Sequence, residues 1–417
     1  MSALTIPPLI RRNIALFALS QSFTGAGIQF AFGFGPLMVI ALTGSASLSG
    51  IFVGLLGLSR FFVAYPIGRI TDRHGRKPGI QLGLALALAG AVWVGVAMAM
   101  LSFVGVVLGA LLFGMGYNAS QQLRVAATDM VPPQRRAEAL GYVALGTVAG
   151  LILSPLLASL GERLAAATGI APLAVPWLLL PPVMITGMVL VALVRPDPMQ
   201  IGLDLSRYYP GLPPMPARAV VPADFSVWVM LRDPRTRLAL VANAAAQGNM
   251  SIVMVLTSLV LAHHGHSLTA IAFAQLFHSA GMFAFTIPLG RLADRIGHDR
   301  VMLPGVALAL AGAAIVAFTG AFWSVTLGAF LVGIGWAAAN VAATAFIADQ
   351  FPTEQRGRAI GVNESGAGAT SVVMALVTGP LLEFSGLPAT GLFSVLVALP
   401  PLAMFAALWM RRSPVAS

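Results

Sequence analysis

Two pairs of side chains that can bind soft metals lie on neighbouring apolar stretches within residues 237–291. Met250 and Met254 are four residues apart in the first stretch, and His278 and Met282 are four apart in the second. A spacing of four places both members of a pair on one face of a helix, one turn apart. Thioether sulfur and imidazole nitrogen suit soft or borderline metals, so the two helices are a candidate metal path.

The depth of these residues along their helices predicts a ladder. At a rise of about 1.5 Å per residue, Met250 lies roughly 20 Å into its helix and His278 reaches a similar depth. Met254 is then the outermost ligand and Met282 the innermost. The outer loop above the ladder carries the one histidine cluster of the chain, a candidate metal entry: His263, His264 and His266.

The ligand types favour copper, most naturally Cu(I), as a transported substrate. The chain has no cysteine, and no carboxylate adjoins the ladder, which disfavours zinc, manganese, iron and magnesium. Methionine also fills gaps in apolar helices, and Met184 and Met188 repeat the same spacing in a stretch that we interpret as packing. His278 carries more weight, because an ionisable side chain inside a membrane span is rarely a filler.

The composition determines which elements must position these residues. Of 417 residues, 58% are hydrophobic and 9% are charged, against about 25% charged in soluble domains. The chain therefore reads as an all-α polytopic membrane protein. Apolar runs long enough to cross a bilayer lie near 13–41, 49–67, 79–100, 103–130, 138–160, 172–194, 237–262, 267–289, 301–320, 322–348, 358–383 and 387–410.

The basic residues predict the orientation of these twelve spans. Arginine and lysine gather in every second loop and in the two tails, at Arg11, Arg12, Arg411 and Arg412. This asymmetry places both termini in the cytoplasm. It also explains the net charge of +10 without a nucleic-acid partner. We expect a monomer in a lipid bilayer.

An internal repeat predicts two halves of six helices. The stretch Gly68–Pro78 recurs at Gly290–Arg300, and Asp129–Gly141 is echoed by Asp349–Gly361. Parallel repeats of this kind are a known transporter architecture. The predicted division is an N-terminal half (1–194), a proline-rich cytoplasmic linker (195–236) and a C-terminal half (237–417). We expect a short surface helix at Phe225–Leu231 in the linker.

Over essentially its whole length the chain resembles the major facilitator superfamily. The family motif Gly-x-x-x-Asp-Arg-x-Gly-Arg-Lys is matched by Gly68, Asp72, Arg73, Gly75, Arg76 and Lys77, with a weaker copy at Gly290, Asp294, Arg295 and Gly297. The resemblance implies that these residues form a conformational latch. Physically, Asp72 can lie against a positive helix N-terminus and Arg76 can pair with Asp129.

Three charged residues lie inside predicted spans, and each is a candidate for the transport cavity because a charge in hydrocarbon is costly. They are Arg60, Arg124 and Glu364. For Arg124 and Glu364, which are close to the latch loops, we favour a structural ion pair near the cytoplasmic surface. The partner of Arg60 is not predicted.

At Met250, Met254, His278 and Met282 the resemblance narrows to the CcoA-like copper importers. Members carry Met-x-x-x-Met on the seventh helix and His-x-x-x-Met on the eighth. The resemblance implies copper uptake by alternating access across the bacterial inner membrane, supplying assembly of a cbb3-type cytochrome oxidase. Redox gating by thiols is unavailable here because cysteine is absent. The proteins that deliver and receive the copper are not predicted.

An organic-solute porter, either a drug and proton antiporter or a riboflavin transporter, is the alternative. Some relatives in the same group carry riboflavin. The solute would then contact polar side chains in the spans: Gln29, Tyr117, Asn118, Gln121, Asn243 and Gln247. The sequence contains no catalytic constellation or nucleotide motif, so it predicts neither an enzyme nor a catalytic cofactor.

Overall fold

The computed structural model describes residues 5–132, 135–209, 226–351 and 353–410. Every regular element in these ranges is a helix, which confirms the predicted all-α fold class. The predicted linker helix is found at Val227–Arg232; Phe225 lies outside the described residues. Arg411 and Arg412, which the orientation argument used, lie outside them as well.

Between residues 5 and 209, the elements that the structure describes are twelve α-helices and the short 3₁₀ helix η1 (Ala46–Leu48). The α-helices are α1 (Pro8–Thr24), α2 (Ala26–Thr43), α3 (Ile51–His74), α4 (Arg76–Ala99), α5 (Phe103–Ser120), α6 (Gln122–Asp129), α7 (Arg136–Gly150), α8 (Leu153–Thr168), α9 (Val175–Leu178), α10 (Leu180–Ala192), α11 (Pro198–Leu203) and α12 (Leu205–Tyr208).

Between residues 226 and 410, seven helices are described. They are α13 (Val227–Arg232), α14 (Pro234–His263), α15 (Leu268–Ala284), α16 (Thr286–Ile296), α17 (Asp299–Phe318), α18 (Phe322–Gln350) and α19 (Thr353–Met410).

Eleven stretches of the described residues are long and apolar enough to cross a membrane. The last of them, Arg358–Leu408, has 51 residues. As one straight helix it would measure about 75 Å, more than twice the roughly 30 Å hydrocarbon core. Gly386 interrupts α19 with a φ of 76°, so this stretch supplies two spans. The interruption falls between the eleventh and twelfth runs predicted from the sequence.

The internal repeat is visible in the backbone. Gly75 and Gly297, which are 222 residues apart, both have a φ of 99° and precede α4 and α17. Gly90 and Gly312 stand at the same offset. A Cβ on Gly90 would lie 2.3 Å from the amide nitrogen of Phe113, and one on Gly312 would lie 2.5 Å from the carbonyl oxygen of Gly328. Glycine therefore permits the same close helix contact, α4 with α5 and α17 with α18, in each repeat.

The contacts divide the chain into two compact units. The first comprises Met1–Phe34 and Leu55–Ala219, and the second comprises Gly35–Gly54 and Val220–Ser417. The core of the first contains Ile14, Phe17, Leu84, Val143 and Val191. The core of the second is built largely from small residues of α14 and α18, which include Ala239, Ala242, Ala246, Ala339 and Ala342. Small residues allow these two helices to approach closely.

Residues 35–54 join the second unit through close backbone contacts with α19. A Cβ on Gly50 would lie 1.7 Å from the carbonyl oxygen of Ala375, and one on Gly379 would lie 2.4 Å from that of Ser47. Oε2 of Glu383 accepts hydrogen bonds from the hydroxyl of Ser45, at 2.7 Å, and from the amide of Ser47. The division predicted from the sequence placed residues 35–54 in the N-terminal half (1–194), whereas their contacts group them with the second unit.

Candidate functional site

His278 is buried on α15 and is oriented by α18. Its Nδ1 lies 2.7 Å from the carbonyl oxygen of Ala329, and its side chain is 1% exposed. The two helices meet closely here, because a Cβ on Gly333 would lie 2.2 Å from the carbonyl oxygen of His278. Nε2 of His278 is buried and has no hydrogen-bond partner among the described residues. If Nδ1 carries the proton, Nε2 presents a free lone pair.

The methionines of the predicted ladder have different surroundings. Met250 and Met254 are buried on α14, at 6% and 2% exposure, while Met282 on α15 is half-buried. The carbonyl oxygen of Met254 accepts a hydrogen bond from the amide of Gln275 at 3.5 Å, which links α14 to α15. The described residues contain no group of three or more His, Cys, Asp or Glu side chains that could hold a metal. Any metal here would depend on the thioethers and His278.

Two of the three outer histidines have structural contacts. Nδ1 of His264 lies 2.8 Å from the carbonyl oxygen of Val260, and Nε2 of His266 lies 3.3 Å from that of Gly320. The His264 ring also packs on Gly320, where a Cβ would lie 2.0 Å from its Nε2. These rings hold the turn after α14 against the turn before α18. His263 is exposed and lines an apolar cavity of about 410 Å³.

A hydrogen-bonded group of polar side chains joins α14, α18 and α19 inside the second unit. We call it the amide cluster, and it consists of Asn243, Gln247, Ser251, Trp336, Asn340, Glu364 and Ser371.

The hydrogen bonds of the amide cluster fix its geometry. The indole Nε1 of Trp336 donates to Oε1 of Gln247 at 2.7 Å. Nδ2 of Asn340 donates to Oδ1 of Asn243 at 3.1 Å and to Oε1 of Glu364 at 3.4 Å. Two further bonds, from Gln247 to Ser371 at 3.4 Å and between Ser251 and Ser371 at 2.6 Å, extend the cluster along α19.

Three members of this cluster were named separately in the sequence analysis. Asn243, Gln247 and Glu364 were named there as cavity candidates, and the structure brings all three together. Asn340 and Trp336 were missed, together with Ser251 and Ser371. A signal was available, because Trp336, Asn340 and Thr344 are spaced by four in the otherwise apolar α18, and Asn243, Gln247 and Ser251 are spaced by four in α14.

The expected ion pairs of Arg124 and Glu364 are not present among the described residues. Their four ion pairs involve other side chains: Arg76 with Asp72, Arg76 with Asp129, Arg135 with Glu138, and His298 with Asp349. The amide of Asn340 takes the place of a cation beside Glu364. Arg60 is exposed on α3 and forms no ion pair in these ranges.

The polar side chains of the first unit that were candidates for solute binding either bond neighbouring helices or have little open space beside them. The amide of Asn118 donates to the carbonyl oxygen of Leu56 at 3.0 Å and to Oγ of Ser59 at 3.1 Å, so it ties α5 to α3. Tyr117 and Gln121 line a cavity of about 10 Å³, room for about one water molecule. Gln29 is buried at 3% exposure.

The latch residues of the first unit form the expected Arg76 contact. Nε of Arg76 donates to Oδ2 of Asp129 at 2.7 Å, and Nη1 of Arg76 lies 3.2 Å from Oδ1 of Asp72. Within this unit, however, the N-terminus of α4 is capped by Asp197 and not by Asp72. The carboxylate of Asp197 accepts from the amides of Arg76 and Lys77 at 3.1 and 2.9 Å.

The other latch residues are on the surface of their units. Arg73, Asp294 and Arg295 are exposed. A Cβ added to Gly68 would have no described atom within 4 Å, and one added to Gly290 would meet only a methyl group of Val341, at 3.4 Å. In the second repeat, His298 and Asp349 occupy the places of Arg76 and Asp129.

Twelve predicted spans in two repeats, with polar clusters inside the spanning helices, define a membrane transporter. The chain belongs to the Major Facilitator Superfamily, whose family model matches residues 17–232 and 238–417.

Individual relatives agree with this assignment. The uncharacterised transporter YdeG of Bacillus subtilis is 28% identical over 361 residues, covering 85% of this chain and 81% of the relative. The riboflavin transporter RfnT of Brucella anthropi is 27% identical over 385 residues, 90% of each chain. The multidrug resistance protein MdtG of Salmonella paratyphi C is 25% identical over 399 residues, 92% of this chain and 90% of the relative.

A solved structure shows the same fold. The crystal structure of the nucleoside transporter NupG superimposes with a TM-score of 0.70 at 13% identity, covering 95% of this chain and 99% of that one.

Proposed function

We propose that the protein is a secondary transporter of a neutral, planar organic solute of the flavin type, which binds at the amide cluster. The observation that carries this proposal is the convergence of three amide side chains and one indole from two helices, α14 and α18, on one hydrogen-bonded group. An organic-solute porter was the alternative raised by the sequence, and it now ranks above copper import.

The chemistry of the cluster fits such a solute. Ligand sites combine an apolar wall with a few polar groups that fix orientation, and α18 is apolar apart from a few polar side chains such as Trp336 and Asn340. Amides offer both donors and acceptors, as the imide edge of a flavin ring does. The indole of Trp336 offers a flat surface for stacking. The cluster has one carboxylate and no basic side chain, which favours a neutral solute over an anionic one.

Relatives support the same class. RfnT is named for riboflavin and MdtG for multidrug resistance, and each matches about nine-tenths of this chain. Both names refer to organic solutes.

Riboflavin binding to the purified protein tests the proposal, with quenching of flavin fluorescence as the measurement. We expect Asn340→Ala and Gln247→Ala each to weaken binding roughly tenfold, because a lost hydrogen bond costs about 1 to 1.5 kcal/mol. Gln81→Ala is the control, since Gln81 bonds the carbonyl oxygen of Met188 outside the cluster. If the wild-type protein binds drugs but no riboflavin, the proposed function changes from flavin transport to drug export. Equal affinities in all three variants would refute the site.

Import of copper is the second candidate, and His278 favours it. A metal-binding histidine commonly anchors one ring nitrogen on a backbone carbonyl and leaves the other for the metal. His278 has this arrangement, with Nδ1 on Ala329 and Nε2 buried without a partner among the described side chains. Met250, Met254 and Met282 would complete the ligand set. The supply of cytochrome oxidase assembly belongs to this candidate alone.

Cu(I) competition against a chromogenic chelator separates the two candidates. Copper import predicts that His278→Ala and Met250→Ala lower Cu(I) affinity, whereas Met184→Ala, another buried methionine, does not. If all three variants bind Cu(I) like the wild type, the residues of the ladder are packing. Cellular uptake of radioactive copper at matched expression provides the transport measurement.

Under either candidate we propose a location in the bacterial inner membrane, with both termini in the cytoplasm. The positive-inside distribution of arginine and lysine supports this orientation. Reaction of cysteines introduced into this cysteine-free chain with a membrane-impermeant reagent tests the side of each loop.

A further inference from the structure

We propose that Glu364 carries the proton that drives transport, and that Asn340 couples this proton to the solute, so that the two move together in the same direction. This inference rests on the proposed binding of the solute at the amide cluster. It assigns the coupling ion and the residue that holds it.

Glu364 is a carboxylate inside a membrane span, and no described cation pairs with it. It lies eleven residues after the start of α19, about 16 Å along the helix, and its side chain is half-buried. Within the described part of the chain it accepts a hydrogen bond from Asn340, at 3.4 Å. A carboxyl group inside a membrane span that has no cation beside it is a candidate to hold and release a proton during transport.

In the described ranges, the elements packed against α19 place no charged side chain within ion-pair distance of Glu364. These elements are η1, α13, α14, α17 and α18. Their described ionisable groups, with those of α19 itself near this end, belong to the loop ends of the helices: Arg232, Arg235, Arg237, His263, Asp299, Arg300, Asp349, Arg356 and Arg358. Among the described side chains, none of these is in ion-pair contact with Glu364.

Asn340 is the contact that the proton and the solute share. Its Nδ2 has two hydrogens, and they are directed to Oδ1 of Asn243 and Oε1 of Glu364. An ionised carboxylate can only accept, whereas a protonated one also donates. When a proton binds Oε1 of Glu364, the oxygen that Asn340 contacts, this oxygen becomes a weaker acceptor, and the Asn340 hydrogen can turn to an acceptor on the solute.

The sign of the coupling follows from this exchange. A proton on Glu364 improves solute binding at Asn340, and by thermodynamic reciprocity the solute improves proton binding to the same degree. Proton and solute are therefore bound together and released together, which is symport. No redox step or co-reactant is needed, because the proton enters from one compartment and leaves to the other.

Riboflavin accumulation in proteoliposomes tests the inference with the full-length protein. With one proton per solute, an inward gradient of about one pH unit should sustain about tenfold accumulation. We expect Glu364→Gln, which cannot take up or release a proton, to lose this accumulation, and the riboflavin affinity that it has should no longer change with pH. Glu364→Asp should recover part of the accumulation. Glu162→Gln, a carboxyl on α8 outside the cluster, is the control.

Two results would overturn the inference while leaving the proposed function intact. The first is accumulation by Glu364→Gln equal to that of the wild type. The second is riboflavin transport by the wild type that does not change when the pH gradient is applied. Failure of the wild type to bind riboflavin would overturn flavin transport instead. Infrared spectroscopy then decides the inference without a solute. A protonated-carboxyl band that titrates with pH, is absent in Glu364→Gln and shifts in Asn340→Ala supports it, and no such band refutes it.

Discussion

Nε2 of His298 lies 3.8 Å from Oδ2 of Asp349, in the position that Arg76 and Asp129 occupy 222 and 220 residues earlier. Both side chains follow a glycine with a φ of 99° and lie at the N-terminal end of the third span of their repeat. The two predicted latches therefore share a geometry but differ in chemistry. The guanidinium of arginine offers five donors in a planar fork, whereas an imidazole has two ring nitrogens.

This difference predicts that His298→Arg strengthens the contact with Asp349. A guanidinium offers more donors to a carboxylate than an imidazole does. Because the Asp349 side chain is 66% exposed, we expect a gain of at most about 1 kcal/mol. Thermal unfolding of the purified protein is the measurement. His74→Arg, on an exposed histidine without an ion pair in the described residues, serves as the control, and equal stability of His298→Arg and the wild type would contradict the prediction.

The fold was largely predictable from the sequence because it depends on local patterns. Apolar runs, basic loops and the repeat of Gly68–Pro78 each lie within one continuous stretch. The amide cluster was not fully predictable, since it depends on which helices meet. Asn340 is 97 residues from Asn243, and no spacing along the chain indicates that α18 faces α14.

Asp197 illustrates the same limit for the latch. It belongs to the proline-rich segment that reads as a linker, yet it caps a helix that begins 121 residues earlier. The sequence pattern favoured Asp72 for this helix N-terminus, because Asp72 is nearer in the chain. The Asp72 side chain is 72% exposed and contacts Arg76.

We predict that Asp197→Ala destabilises the first unit. The carboxylate accepts from the amides of Arg76, Lys77 and Met199 at 3.1, 2.9 and 2.8 Å. Loss of a helix cap costs about 1 to 2 kcal/mol, and Asp197→Asn should retain part of this. Chemical unfolding of the purified protein measures the effect. Asp204→Ala, which removes the cap of the four-residue helix α12, should cost less; equal losses would argue against a special role for Asp197.

Tyr209 predicts a loss of stability at high pH. The pKa of Tyr209 is raised to about 12, chiefly by burial of the phenol. The positive charge of Arg135 lowers this pKa by a smaller amount, and the negative charge of Glu138 raises it. The folded state therefore favours the neutral phenol, and this contribution is complete below about pH 10 and disappears as pH rises to about 12. Tyr209 also donates to the carbonyl oxygen of Met130 at 3.2 Å. Tyr209→Phe should cost about 1 kcal/mol at neutral pH and flatten the decline above pH 10, as measured by thermal unfolding across this range.

Gly50→Ala should separate residues 35–54 from α19. The added Cβ would lie 1.7 Å from the carbonyl oxygen of Ala375, a distance that only backbone movement can relieve. The carboxylate of Glu383 would then lose its hydrogen bonds to Ser45 and Ser47. Because the chain has no cysteine, Ser45→Cys and Glu383→Cys can be joined by a short thiol cross-linker without background reaction.

Cross-linking yield measures this separation. We expect high yield in the Ser45→Cys, Glu383→Cys background and a several-fold lower yield when Gly50→Ala is added. Gly368→Ala is the matched control, because it also lies on the contact helix α19 but has no described atom within 4 Å of the added Cβ. A yield that Gly50→Ala leaves unchanged would mean that the two segments are not held together by the close approach of their backbones. A yield that falls equally with Gly368→Ala would point to a general loosening of α19.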